Sequence, residues 1–219
     1  MDSLFIVANL KSNKTYDEAK SWLEVFKTID KNLLEEKRII ICPSFTLLEV
    51  FKSFFSNNNL KVSLGAQSVS SLDEGAHTGE VNAKQIKDFA DFVIIGHSEE
   101  RKLLNESNET LSQKVNLSLK YGLNPIYCVQ DKDIFIPQGV SLVAYEPLFA
   151  IGSGNPDTPQ NANQVASEIK TKGEYQVLYG GSVTKENVGN FTNQPNLSGV
   201  LVGGASLEAQ ELIKIIQNA

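Results

Sequence analysis

One acidic residue lies where an apolar run meets a glycine-rich loop. Glu146 follows the run Ser141 to Tyr145 and precedes Pro147 and the segment Ile151-Gly-Ser-Gly154. A loop of this kind can fold over the carboxylate and remove it from water, which raises the pKa of an acid and makes it a stronger base. These residue types in this order suit the removal of a proton from a carbon atom next to a carbonyl group.

Two glycine pairs farther along the chain predict an anion site. Tyr179-Gly-Gly-Ser182 and Gly203-Gly-Ala-Ser206 each follow an apolar run. Glycine lets the backbone approach a ligand closely, and free amides at a helix N-terminus attract anions. A single pair is also what a tight turn needs, but two pairs after successive runs favour a phosphate site. The candidate phosphate-binding residues are Gly152, Ser182, Gly203 and Gly204.

Polar residues near two earlier runs supply the remaining candidates. His97 opens the segment His97-Ser98-Glu99 at the start of a helical pattern. A helix N-terminus disfavours the imidazolium, so a neutral His97 can donate a hydrogen bond to a substrate oxygen. Lys11 stands two residues after Asn9, where its charge can offset negative charge that develops on a substrate. We expect Glu99 to hold the Lys11 ammonium, and Ile151 and Leu201 to cover Glu146.

Eight apolar runs of strand length are separated by helical patterns, which predicts βαβ units and a parallel sheet. Eight units favour a closed (β/α)8 barrel, with an open doubly wound sheet as the alternative. The predicted strands are Leu4 to Ala8, Arg38 to Cys42, Lys61 to Gly65, Phe92 to Gly96, Leu123 to Cys128, Ser141 to Tyr145, Gln176 to Tyr179 and Gly199 to Val202. The predicted helices are Tyr16 to Ile29, Ser44 to Phe55, Glu99 to Lys120, Gln160 to Lys172, Lys185 to Phe191 and Leu207 to Ile216.

The fifth unit of the barrel is incomplete. Only Val129 to Val140 separate two of the predicted strands, and Pro137 and Gly139 interrupt them. This length is too short and too broken for a normal crossover helix. We therefore expect a compact barrel, with the fifth helix missing or very short, that occupies residues 1–219 as one domain.

Composition excludes several classes of function. With 41% hydrophobic and 21% charged residues, the chain has the balance of a globular protein. A net charge of -6 argues against a nucleic-acid or anionic-membrane partner. Cys42 and Cys128 end apolar runs and are expected to be buried free thiols. The start of the chain, Met1 to Phe5, shows neither a basic nor a long apolar segment, so we expect a cytoplasmic location.

Five short motifs, taken in chain order, resemble those of the triosephosphate isomerase family over nearly the whole chain. They are Asn9-Leu-Lys11, Gly96-His-Ser-Glu99, Tyr145-Glu-Pro147 with Ala150-Ile-Gly152, Tyr179-Gly-Gly-Ser-Val183 and Leu201-Val-Gly-Gly-Ala-Ser206. The resemblance implies the (β/α)8 TIM barrel and the interconversion of dihydroxyacetone phosphate and glyceraldehyde 3-phosphate, a step of glycolysis and gluconeogenesis. It implies no metal and no organic cofactor.

The same resemblance implies roles for the candidate residues. Glu146 would remove the proton, His97 would polarise the carbonyl, and Asn9 and Lys11 would hold the substrate and stabilise the enediolate. Ser98 and Glu99 would support them. Closure of Pro147 to Gly154 as a lid would exclude water and prevent loss of phosphate from the intermediate.

A long loop predicts a homodimer. Gln67 to Asn82 resembles the family's third loop, which docks into a second subunit, and Thr78 would then brace the neighbour's Asn9 and Lys11. The alternative is a mobile surface loop with no binding role, but a loop of this length in a compact domain is usually functional.

Several positions depart from the family's usual residues. The lid has Phe149 where Trp is usual, and Asn155-Pro-Asp157 where Lys and small residues are common. Cys128 is followed by Val129-Gln-Asp131 instead of Ile-Gly-Glu, and Glu100 stands where Arg is usual. We expect the lid to move differently, but none of these substitutions removes a candidate catalytic residue.

Two other functions remain open at the level of sequence. A different phosphosugar enzyme on the same barrel is one, although a metal-dependent epimerase needs several His and Asp ligands and the chain has two His. A Schiff-base aldolase needs a lysine within the barrel, whereas Lys11 belongs to the rim. The other is a binding protein that retains the fold without catalysis.

Overall fold

The computed structural model describes residues 4–219, so the first residues of the N-terminal segment considered above lie outside it. Among the described residues, eight parallel strands close into a barrel in chain order. This confirms the (β/α)8 barrel over the open sheet. The strands are β1 Leu4–Asn9, β2 Lys37–Cys42, β3 Ser63–Ala66, β4 Phe92–Ile95, β5 Asn124–Val129, β6 Leu142–Tyr145, β7 Gln176–Tyr179 and β8 Gly199–Val202.

Helices surround the barrel and connect successive strands. Six of the helices in residues 4–219 begin where a side chain accepts from a free backbone amide, as Thr15 does before Tyr16 and Ser107 before Asn108. The helices are α1 Tyr16–Phe26, α2 Lys31–Glu36, α3 Leu48–Asn57, α4 Ala83–Lys87, α5 Ser98–Leu104, α6 Asn108–Lys120, α7 Pro159–Lys170, α8 Val188–Thr192 and α9 Ala209–Asn218. Short 3-10 turns span Phe45–Leu47, Leu148–Ala150 and Gly204–Leu207.

The expected single helix from Glu99 to Lys120 is wrong, because the chain breaks into α5 and α6. Asn105 ends α5 in the left-handed conformation, at φ 51°. The Ser107 hydroxyl then accepts from the amide of Thr110, at 3.1 Å, and starts α6. The Glu106 carboxylate between them turns inward onto Lys114.

The short helices α2 and α4 lie in stretches for which no helix was expected. Each has one or two turns, too few to show a helical period in the sequence. Between β5 and β6, by contrast, the described residues 130–141 form turns and no helix, as the sequence predicts. None of the helices in residues 4–219 is long and apolar enough to cross a membrane.

The core has two layers. Side chains on one face of the strands fill the barrel, and Cys42 and Cys128 are among them. Side chains on the other face pack against the helices. Burial of both faces explains why the strands are continuous apolar runs without polar alternation. On the helix side, Phe51 stands between Trp22 and Phe55, with ring centroids 5.6 and 5.8 Å away.

This packing gives a prediction about stability. Phe51→Ala should lower the free energy of unfolding by about 3–5 kcal/mol, because Phe51 is fully buried and its removal leaves a cavity. Phe89→Ala makes the same chemical change at a ring that is 37% exposed, and should lower it much less. Denaturant unfolding of both variants measures the difference, and equal losses would contradict the packing described here.

Candidate active site

The carboxyl ends of the eight strands form one rim, and a cavity of about 250 Å³ opens there. Polar side chains and glycine-rich loops from five strands meet in it. The residues that line it are Asn9, Lys11, His97, Glu146, Ile151, Gly152, Gly154, Gly180, Gly181, Ser182, Val183, Thr184, Leu201, Gly203, Gly204 and Ala205. Most of the residues expected to bind or convert a substrate are therefore brought together.

Glu146 lies at the deepest part of the rim and is fully buried. It follows β6 directly, and its amide continues the sheet by donating to Val129 O at 2.8 Å. Its Oε2 accepts from the amide of Ser98 at 3.4 Å, at the start of α5. Its Oε1 lies 3.2 Å from His97 Nε2, but the two groups are not aligned for a hydrogen bond. Within residues 4–219, Oε1 therefore has no hydrogen-bond partner.

Burial raises the pKa of Glu146 above its usual value. The nearby His97, the Cys128 thiol, the Ser98 amide and the Lys11 charge act in the opposite direction and do not cancel the effect. A buried carboxylate with an unsatisfied oxygen is a stronger base than one in water. The site thus provides a proton acceptor that faces the cavity.

His97 presents a neutral imidazole beside this carboxylate. It caps the N-terminus of α5, where Nδ1 accepts from the amide of Glu99 at 3.2 Å. A nitrogen that accepts carries no proton, so the ring proton is on Nε2, the atom nearest Glu146. The ring can donate from Nε2 to a ligand in the cavity.

Lys11 and Asn9 line the same cavity. Lys11 Nζ lies 2.5 Å from Glu99 Oε1, which holds the ammonium near the cavity. Asn9 Oδ1 accepts from the amide of Lys11 at 2.9 Å, and Lys11 itself has a φ of 51°. The Gln67 amide group donates to Lys11 O and to Cys42 O, both at 2.8 Å. These contacts fix a positive charge at the mouth of a buried, polar pocket.

The glycines after β7 are required by close packing. A Cβ atom on Gly180 would lie 3.1 Å from Glu146 Cγ and 3.3 Å from a Leu201 methyl group. On Gly181 it would lie 2.6 Å from the Tyr179 hydroxyl oxygen. Gly180 therefore lies against both the Glu146 side chain and Leu201, and a side chain there would displace them. The glycine pair serves the carboxylate as well as the loop.

The loop from Pro147 to Gly154 covers the cavity and is held at its middle and at its far end. Ser182 Oγ donates to Ala150 O at 2.6 Å and accepts from the amide of Gly154 at 3.1 Å. Farther along, the amide of Asp157 donates to the Tyr179 hydroxyl at 2.7 Å. Leu148 and Phe149 at the tip are 67% and 61% exposed. The lid is thus closed over the rim by contacts to the loop after β7.

One predicted residue was expected to act in a second subunit, and three residues near this site were not predicted. Thr78 does not line the cavity, and it lies exposed on the long loop after β3. Conversely, Cys128 beside Glu146, the Tyr179 hydroxyl and the Asp157 side chain were not among the candidates. Tyr179 stood within a recognised motif, but a strand residue in an apolar run is normally core. Asp157 stood in a polar loop, where burial is not expected.

The sequence pattern of the triosephosphate isomerase family matches residues 4–134 and 137–219. The chain belongs to the triosephosphate isomerase family. The gap in the match, residues 135 and 136, falls in the segment that joins β5 and β6 without a helix. The family's sequence pattern therefore extends over both halves of the barrel.

Several relatives carry the name triosephosphate isomerase. That of Dictyoglomus thermophilum is 35% identical, with 97% of this chain and 98% of the relative aligned. That of Chlamydia muridarum is 36% identical, over 97% and 90% of the two chains. That of Mesomycoplasma hyopneumoniae is 32% identical, over 98% of each. The first alignment spans 247 positions against 219 residues here, so this member of the family lacks segments that its relatives have.

Metal ligands were not expected in this family. Among residues 4–219, no three His, Cys, Asp or Glu side chains are grouped so that they could hold one metal ion.

The burial of Glu146 predicts a pH-dependent stability. Because its pKa is raised from 4.5, the folded state keeps a proton that the unfolded state has released, over a pH range that begins near 4.5 and extends upward. Stability is lost as pH rises through that range. Glu146→Gln is neutral throughout, so its free energy of unfolding relative to the wild type should be higher at about pH 7 than at about pH 4. Urea unfolding at both values tests this, and a pH-independent difference would contradict it.

Proposed function

We propose that this chain is a triosephosphate isomerase that interconverts dihydroxyacetone phosphate and D-glyceraldehyde 3-phosphate through an enediolate. The observation that carries the proposal is the buried Glu146, whose Oε1 lacks a hydrogen-bond partner among the described residues and lies 3.2 Å from His97 Nε2. Family membership and relatives of the same name support it. The reaction would serve glycolysis and gluconeogenesis, and we propose a cytoplasmic location on that ground.

The proposed chemistry divides between a base and an electrophile. Glu146 removes the proton from the carbon next to the substrate carbonyl and returns it to the former carbonyl carbon, while a second proton passes from the substrate hydroxyl oxygen to the former carbonyl oxygen. The Nε2 proton of His97 polarises the carbonyl oxygen and stabilises the charge that develops there. Lys11, held by Glu99 at 2.5 Å, adds a positive charge on the same side, and Asn9 positions the substrate.

The phosphate is proposed to bind where Gly152, Ser182, Gly203 and Gly204 line the cavity. Closure of the lid would remove water from both the phosphate and Glu146. In a dry site the hydrogen bonds and charges act more strongly, and the intermediate is protected from side reactions. Ile151 and Leu201 supply apolar surface next to these polar groups.

Shortening the base tests its role. Glu146→Asp withdraws the carboxylate by roughly one carbon–carbon bond, so turnover should fall by about 10²-fold or more. Glu174→Asp makes the same change at an exposed residue that precedes β7, at the opposite end of the barrel, and should leave turnover unchanged. A coupled assay that consumes NADH measures both. Wild-type turnover in Glu146→Asp would exclude Glu146 as the base, and no turnover in the wild type would exclude the proposed reaction.

We further propose that the chain is one domain and forms a homodimer through the loop after β3. The base of this loop is held firmly, because Ser70 N donates to Val81 O at 2.9 Å and the Asp73 carboxylate accepts from Lys120 and Tyr121 at 2.6 Å. Residues 74–80 beyond this base are all exposed. An anchored loop with an exposed tip is suited to insertion into a second copy, where Thr78 would brace Asn9 and Lys11.

A bulky charge at the tip tests the dimer. Thr78→Arg should lower the mass in solution from twice 24.1 kDa to 24.1 kDa and reduce turnover, because Asn9 and Lys11 would lose their support. Thr171→Arg places the same side chain at an exposed position after α7 and should change neither. Light scattering coupled to gel filtration measures the mass. A wild type of 24.1 kDa would refute the dimer.

A further inference from the structure

We propose that Asp157 is a positioning residue. Its side-chain carboxylate fixes Asn155 to Asp157, the segment that we call the far hinge of the lid, and so biases the lid toward its closed state. The proposal rests on the function given above and concerns a residue that stands where the family commonly has a small side chain. It assigns to the carboxylate a role separate from the backbone contact that the same residue makes.

The Asp157 carboxylate is buried although it lies in a polar loop, with 9% of the residue exposed. It accepts three hydrogen bonds. Oδ1 accepts from the amide of Thr158 at 2.7 Å, and Oδ2 accepts from the Asn161 side chain at 2.7 Å and the Tyr145 hydroxyl at 3.4 Å. All three donors are neutral, and within residues 4–219 no cation lies within salt-bridge distance of Asp157.

These donors lie on two structures that the lid joins. Thr158 caps the N-terminus of α7, and Asn161 is in its first turn. Tyr145 is the last residue of β6 and the neighbour of Glu146. The carboxylate therefore connects the far end of the lid both to the helix that follows it and to the strand that precedes it. A buried carboxylate is unfavourable unless hydrogen bonds replace its contacts with water. The Asp157 carboxylate is therefore held where these three donors are.

Fixing the carboxylate also fixes the backbone amide of Asp157. We call the hydrogen bond from this amide to the Tyr179 hydroxyl the latch. This amide donates to the Tyr179 hydroxyl at 2.7 Å. The Tyr179 ring is itself immobilised by stacking on Phe191, with centroids 4.0 Å apart. Both groups of the latch are thus held in place before a substrate arrives. Without the carboxylate, the amide would have to be ordered at the moment of closure.

The Tyr145 hydroxyl is protonated at neutral pH and can donate to Asp157. Burial, and then the neighbouring Asp157, raise the pKa of Tyr145 above its usual value. The phenol therefore keeps its proton and remains a donor to Oδ2. The contact that joins the two ends of the lid is a stable one at neutral pH.

The test compares Asp157→Ala with Thr158→Ala. Thr158→Ala removes the hydroxyl that caps α7, by accepting from Asn161 N, but leaves the backbone amide that Asp157 binds. The readout is the rate of chymotrypsin cleavage after Phe149 in the free protein, mapped by mass spectrometry. Cleavage requires the lid to detach, and Asp157→Ala should raise its rate about tenfold while Thr158→Ala leaves it near the wild-type rate.

Kinetics supply a second readout. Asp157→Ala should raise KM and the fraction of turnovers that release inorganic phosphate, each by about tenfold, because the closed lid is less populated. Asp157→Asn keeps the shape and can restore some of the hydrogen bonds, so its effects should be smaller. Unchanged cleavage and KM in Asp157→Ala, or equal changes in Thr158→Ala, would overturn the proposal. Cleavage is measured without turnover, so an inactive wild type would refute the proposed function and leave this test valid.

Discussion

The structure depends on keeping one carboxylate out of water. Glu146 has no exposed surface, and burial raises its pKa. Such a group is unfavourable for folding unless its surroundings replace the lost hydration. The hydrogen bonds replace this hydration only in part. Oε2 accepts a long hydrogen bond from Ser98 N, and Oε1 has no hydrogen-bond partner among residues 4–219. Burial is the main reason that the pKa of this carboxyl is raised, and a raised pKa makes the carboxylate a stronger proton acceptor than one in water.

The other parts of the rim can be understood from this constraint. The start of α5 brings two groups to Glu146, the Ser98 amide and the neutral His97 ring. Gly180 has no side chain, so Glu146 and Leu201 can both pack against its backbone. The lid closes from the other side, and Ser182 holds it through Ala150 O and Gly154 N. The outer layer of helices contributes less to the position of Glu146. β5 and β6 stay in register although residues 130–141 between them form no helix.

The sequence predicts the strands well and the connections less well. Strands that are buried on both faces consist of apolar runs. All eight predicted runs form strands, and the ends of these strands differ from the predicted ends by at most two residues. The break between α5 and α6 escapes a pattern based on hydrophobic spacing, because it depends on the left-handed conformation of Asn105. The first three elements of the site, namely the base, the ring and the lysine, follow from residue type and position at strand ends. Asp157 does not, because its burial arises only when the hinge folds against Tyr145 and α7. The partner surface for Thr78 lies in a second copy, which one chain cannot reveal.

The central claim is that Glu146 moves a proton between adjacent carbons through an enediolate. The most direct measurement is the conversion of dihydroxyacetone phosphate in D2O, followed by proton NMR of the glyceraldehyde 3-phosphate that forms. A carboxylate that takes up the substrate proton can exchange it with solvent before returning it, so the product should carry deuterium at C2. Conversion by Glu146→Gln at the wild-type rate and with the same deuterium content at C2 would contradict this account, because an amide cannot take up the substrate proton.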